Sequence, residues 1–136
     1  MRRFIPIVAA WSLGWLVYMI AMVFTVYDGI MSVIFQPIMA ALCSAVAVSV
    51  GLLVGLVFRI PPVGRLWRLS WFWAAALAGG SILVMCYGAQ WGITEMFTDP
   101  ETGHQSVGLR SSVAIVSYFV LIFSVANWPA RRSDAA

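Results

Sequence analysis

The sequence predicts an all-α integral membrane protein: four antiparallel transmembrane helices in an up-down bundle, with the N and C termini both cytoplasmic. Three observations carry that prediction. The 136 residues are 62% hydrophobic and 10% charged, whereas a soluble domain is about 45–50% apolar and about 25% charged. That leaves too few ionisable groups to cover a core of this size. The apolar residues gather into four runs, 5–27, 35–58, 69–91 and 111–128, which hold 88 residues and none of the 13 charged side chains. The arginines, finally, fall almost entirely on one side of those runs. A single four-span domain, 1–136, accounts for the chain.

A charge at mid-bilayer costs at least about 2.5–3.5 kcal/mol on insertion scales, so charge-free runs between charged segments mark spans. At about 1.5 Å rise per residue the runs are roughly 27 to 36 Å long, against a hydrocarbon core of about 30 Å. They are continuous rather than alternating in polarity, which reads as helices and not as barrel strands.

The first run follows Arg2-Arg3 as a secretory signal would, but its 23 residues exceed the about 7–15 of a signal's apolar region and no small-residue cleavage site closes it. It reads as an uncleaved signal-anchor. Trp11, Trp15, Tyr18 and Met22 share one face at helical spacing, the pattern of bundle packing or lipid exposure rather than of a cofactor pocket.

The second run places Pro37 in its first turn, where the missing N–H costs little. Ala40, Ser44, Ala47, Gly51 and Gly55 then fall within a stripe of about 80°, and Gly51 to Gly55 is a GxxxG. Lipid offers no hydrophobic drive for helices to associate, so small-residue faces that allow close approach become packing surfaces. Ala41, Ala45 and Ser49 make a second such stripe, which predicts a central helix with neighbours on two sides. Whether the GxxxG face meets another span or a second copy is open at this level.

The third run carries Gly79-Gly80, expected to be a packing contact rather than a transporter-like break. Trp67, Trp71, Trp73 and Trp128 gather at the inner interface, and Tyr27, Phe35, Tyr87 and Trp91 at the outer one, as amphipathic rings prefer. Between the third and fourth runs, the outer loop 92–110 holds Glu95, Asp99, Glu101 and His104, residue types able to ligate a cation. Asp99-Pro100-Glu101-Thr102-Gly103 is equally a turn sequence, so the expected reading is a solvated turn offering an outer contact surface. The fourth run stops before Pro129.

Arginine sets the orientation. Arg2, Arg3, Arg59, Arg65, Arg68, Arg131 and Arg132 lie on one side with Asp134, giving it +6; Arg110 lies on the other with Asp28, Glu95, Asp99 and Glu101, giving it −3. The positive-inside rule makes the first side cytoplasmic. The basic balance thus reports topology and not nucleic-acid binding, and Arg59, Arg65 and Arg68 suit ordinary anchoring to acidic headgroups.

Most chemistry lacks its residues. One histidine cannot supply a two-histidine haem, and there is no HExxH, zinc cluster or phosphate loop. Cys43 and Cys86, outside any CxxC, read as two small apolar thiols rather than a redox pair. Ser44, Ser49, Ser81, Ser117 and Ser124 have no intramembrane base beside them and are expected to bond to helix carbonyls. The strongest polar groups, Thr25, Asp28, Gln36, Gln90 and Asn127, sit near span edges. Of these, Gln36 and Gln90 are candidates for a polar pathway.

In size and layout the chain resembles small multidrug exporters and small fluoride channels. The resemblance is one of layout and carries no site residue across. The expectation is therefore a non-catalytic accessory or assembly subunit, without cofactor or metal, in a bacterial cytoplasmic (inner) membrane. Its partners would be membrane lipids and either a membrane-protein partner or a second copy in a homo-oligomer, with no nucleic acid. The alternative is a small oligomeric channel or transporter with a pore between protomers.

Overall fold

The computed structural model describes residues 4–25, 29–58, 60–61, 64, 67, 71–98 and 103–129. The order of elements is α1 (Ile5–Thr25), α2 (Gly29–Val57), α3 (Trp71–Tyr87), β1 (Thr94–Thr98), β2 (Gln105–Leu109) and α4 (Ser111–Ala126). Arg2, Arg3, Arg59, Arg65, Arg68, Arg131 and Arg132, and Tyr27, Asp28, Asp99, Pro100, Glu101, Thr102 and Asp134, lie outside the described residues.

Four helices thus match the four apolar runs, with shifted ends. Windows of 18 residues in α1 (Ile5–Met22) and 25 in α2 (Val33–Val57) are long and apolar enough to cross a membrane. The other two are shorter apolar helices, of 17 residues in α3 and 16 in α4. Two expectations are corrected. The loop 92–110 is not simply a solvated turn: it adds a short hairpin to the four-helix fold, β1 and β2 pairing antiparallel with Thr94 opposite Leu109 and Thr98 opposite Gln105. Pro37, moreover, is not in a first turn, because α2 begins at Gly29 and the proline lies inside the helix. Having no N–H, it makes no bond to the carbonyl one turn back, yet the helix continues through it.

Side-chain contacts give the helix directions. Trp11 and Trp15 of α1 donate their indole N–H to the carbonyls of Ala41 and Pro37 in α2, at 3.3 and 3.1 Å, descending one helix while climbing the other. A carbonyl has two lone pairs, so a helical C=O can accept such a second bond. Between α2 and α4 the contacts advance together, Ser44 with Tyr118, Gly51 with Phe123 and Gly55 with Asn127, so these two helices run parallel.

The expected central position of the second helix is also corrected. α2 does pack on two neighbours, α1 and α4, but α4 is the helix that packs against all three others, while α3 lies against α4. The buried side of α4 is accordingly long: Ser117, Leu121, Ile122, Ser124 and Ala126. At the junction of α1, α2 and α4 the core is made of Ala10, Ala47, Val48, Ile122 and Ala126. Alanines and serines are inside, whereas Leu16, Leu42, Leu53, Leu83 and Val116 are each at least half exposed.

Candidate functional site

The stripe on α2 is buried from end to end: Ala40, Ser44, Ala47, Gly51 and Gly55. Each small residue admits a particular neighbour. A β-carbon on Gly51 would stand 3.3 Å from the Cα of Phe123, so its absence sets how close the α4 backbone can come. At Gly55 the space is taken by the Asn127 carboxamide, whose Nδ2 donates to the Gly51 carbonyl at 3.0 Å and to the Phe123 carbonyl at 3.1 Å. The GxxxG face is therefore occupied by α4 of the same chain.

Asn127 ends α4. Its backbone N–H still bonds to the Phe123 carbonyl, but its own conformation has left the helix, and Pro129 follows. The Asn127 carbonyl accepts from the indole of Trp67 at 3.0 Å. Trp67, Phe58 and Phe123 form a mutually tilted trio with ring centroids 5.1 to 5.6 Å apart, a geometry aromatic pairs favour. Trp67, expected as an interfacial anchor, is half-buried in this cluster. Trp71, Trp73 and Trp128 are exposed.

One level up, Gly14 of α1 faces both other helices of the junction. An added β-carbon would meet Ile122 Cδ1 at 2.8 Å, the Tyr118 hydroxyl at 2.9 Å and Ser44 Oγ at 3.1 Å. Ser44 Oγ donates to the Ala40 carbonyl at 2.7 Å and lies 3.1 Å from the Tyr118 hydroxyl. A serine has one hydroxyl hydrogen, so the tyrosine is the donor in the second bond. Ser49, Ser81 and Ser124 likewise donate to carbonyls three or four residues back. No buried side-chain nitrogen or oxygen lacks a partner among the described residues. Gly14 and Ala10 went unnoticed in the sequence, although their small-xxx-small spacing was the available signal; Asn127, the chain's one asparagine, was noted for polarity but not as a clamp.

In the segment 92–110 the described carboxylate serves a helix end. Glu95 reaches from β1 to the first residue of α4, its carboxylate accepting from the Ser111 N–H at 3.0 Å. Arg110, at the N-cap position, supplies no side-chain cap, so the remote glutamate satisfies a donor that helix starts leave open and places negative charge at the positive end of the helix dipole. The Ser111 backbone N–H, then its side chain, and to a lesser degree the Arg110 charge hold the Glu95 carboxyl below its ordinary range. Phe97 lies across Gly108, where a β-carbon would come within 3.1 Å of the ring. Gly103 has φ +67°, the left-handed conformation that suits glycine in a turn.

His104 is exposed, and Asp99 and Glu101 are outside the described residues. Among the described residues no three of His, Cys, Asp and Glu come together as a metal site. Cys43 is half-buried on α2 and Cys86 exposed on α3, both as free thiols. Gln36 is half-buried in α2, and Gln90 is exposed in the turn after α3.

A further exposed surface is the far side of α3. Ala74 and Ser81 are buried against the bundle, and the opposite stripe of Phe72, Ala76, Gly79, Gly80 and Leu83 is exposed. An added β-carbon on Gly79 or Gly80 would meet nothing within 4 Å, so the expected packing contact is not made among the described residues.

Comparison with known proteins returns no match: no family model, no curated protein and no solved structure is similar to this chain.

Proposed function

We propose that the chain is a four-span protein of a bacterial cytoplasmic membrane, with both termini cytoplasmic, acting non-catalytically as an accessory or assembly subunit. The observation that carries this reading is the inverted distribution of side chains. Serines are buried and bonded to helix carbonyls, small residues fill the helix junctions, and large aliphatic and aromatic side chains face outward on all four helices. Water-soluble domains arrange these the other way round, whereas lipid-facing bundles use small residues inside and tolerate apolar ones outside.

With the Ala40 to Gly55 stripe of α2 packed against α4, a small-residue surface open to a partner helix is the Ala76, Gly79 and Gly80 stripe of α3. Its occupant in this reading is a helix of another membrane protein or of a second copy. Capture of the tagged full-length protein in mild detergent tests it. Wild type is expected to bring down a defined membrane partner or to run as an oligomer, and Gly80→Leu to lose that association while keeping its fold. A stable solitary monomer for both would overturn the proposal.

A further inference from the structure

We propose that the β1–β2 hairpin is a membrane-surface element, lying on the outer leaflet with its Met96 and Val107 face against the lipid. The inference rests on the four-span reading and adds to it a specific lipid contact outside the helices. Alternation along the strands puts Thr94, Met96, Thr98, Gln105, Val107 and Leu109 on one face. Met96 and Val107 are directly opposite one another and both about two-thirds exposed, at 66% and 67%. A two-stranded hairpin alone does not cover such a pair.

The face has the composition of an interfacial surface. Its centre is apolar, its edges are the hydroxyls of Thr94 and Thr98 and the amide of Gln105, and none of these six strand residues is ionised. The charge on these strands is Glu95, which belongs to the other face and is engaged at Ser111. A protein rim would ordinarily bring charges for specificity; a neutral hydrogen-bonding rim around an apolar centre suits the headgroup boundary.

Position agrees with composition. Leu109, at the base of the same face, is seated against Gly88, where an added β-carbon would come within 2.7 Å of its Cδ1. The face therefore starts at the end of α3. There Tyr87 and Trp91 stack with centroids 6.4 Å apart, both exposed, the residue types that favour headgroup depth. The exposed apolar residues Leu83 and Tyr87 at the end of α3, and Trp91 in the turn after it, lead in sequence directly into β1.

The test uses the wild-type chain, labelled with carbon-13 at its methionine methyls and placed in phosphatidylcholine nanodiscs. Met96→Leu assigns the hairpin signal, and Met39→Leu assigns a methyl of α2 that reports on the four-span reading itself. Expected is strong broadening of both methyls by a nitroxide near the headgroup end of the lipid chain, with little broadening of Met96 by an aqueous gadolinium chelate. Val107→Asp, on the same face, should raise the aqueous effect on Met96 several-fold and leave Met39 unchanged. Lipid broadening of Met39 with aqueous broadening of Met96 would overturn the hairpin contact and leave the spans standing. Aqueous broadening of Met39 would remove both. Protection of Met96 from both probes would mean that protein, from a second copy or a partner, covers the face, and would equally overturn the proposal.

Discussion

The Asn127 carboxamide lies beside Gly55 in the space that a β-carbon would fill, and from there it donates to the Gly51 carbonyl one turn back on α2. The two glycines of the motif therefore have different tasks. Gly51 lets a backbone come near and offers its carbonyl; Gly55 makes room for the side chain that takes it. A hydrogen bond between helices then fixes the end of α4, and Trp67 holds the Asn127 carbonyl from the other side.

A double-mutant cycle reads this relationship. Asn127→Ala removes an interhelical bond of the kind worth about 0.6 and at most about 1.7 kcal/mol in membrane proteins. Gly55→Ala pushes the carboxamide out and adds crowding, for a total of about 1–3 kcal/mol. In the Asn127→Ala background the three nearest atoms that the added methyl would meet are gone, so Gly55→Ala should cost much less there. Gly51→Ala should keep its cost in both backgrounds, because it meets the Phe123 backbone. Reversible unfolding in mixed micelles gives all the energies, and additive costs for residues 55 and 127 would sink the idea.

Three other glycines separate packing from open surface. Gly14→Ala places a methyl against Ile122, Tyr118 and Ser44 at once and is expected to destabilise by about 1–3 kcal/mol. Gly79→Ala and Gly80→Ala meet nothing within 4 Å and, with alanine the better helix former by about 0.8–1.0 kcal/mol, should leave stability unchanged or slightly raised. Thermal unfolding in one detergent compares the three. A loss at Gly80 as large as at Gly14 would mean that α3 packs otherwise than described.

Glu95 makes the start of α4 sensitive to acid. Its carboxyl is lowered in the folded chain by the Ser111 N–H, so the bond is fully present above the ordinary glutamate value of about 4.3 and lost as pH falls through the lowered folded value. The protection factor of the Ser111 amide, its exchange rate relative to an unstructured amide at the same pH, should be high at neutral pH and fall only below that ordinary value. Glu95→Gln should exchange faster at neutral pH and show no acid step. Arg110→Gln should move the step little, its charge being the smaller influence. An acid step that survives in Glu95→Gln would assign it to another group.

What was legible in the sequence follows from which forces act along the chain. The four helices were visible because long apolar stretches stand apart from the charged segments between them: the four runs hold 88 residues and no formal charge. The start of α2 was not, since Gly29, Ser32 and Pro37 resemble a connection followed by a helix start. Nor was the hairpin: Thr94-Glu-Met-Phe-Thr alternates too weakly to declare a strand, and the carboxylate read as a candidate ligand was needed at a helix end 16 residues away. The α2 stripe was legible as a packing face, but its occupant was not, because spacing names a groove and not the helix that fills it. Centrality passed to α4 for the same reason: its small and polar buried residues, Ser117, Ser124 and Ala126, are scattered among Leu121 and Ile122 instead of forming a repeated motif.

The last prediction concerns the asymmetry of Ser44 and Tyr118. Ser44 Oγ gives its hydrogen to the Ala40 carbonyl and accepts the tyrosine's. Tyr118→Phe leaves the serine still satisfied by Ala40, so it forfeits one interhelical bond, about 0.6 kcal/mol. Ser44→Ala removes the acceptor and leaves the tyrosine hydroxyl, half-buried between α1 and α2, without that partner, a situation that costs about 1–3 kcal/mol. The smaller residue should therefore be the more damaging one to change, and Ser44→Ala combined with Tyr118→Phe should recover part of the loss. Unfolding free energies of the two single variants and the double decide it. Equal costs for the two single changes, or no recovery in the double, would show that the hydroxyl pair has no such direction.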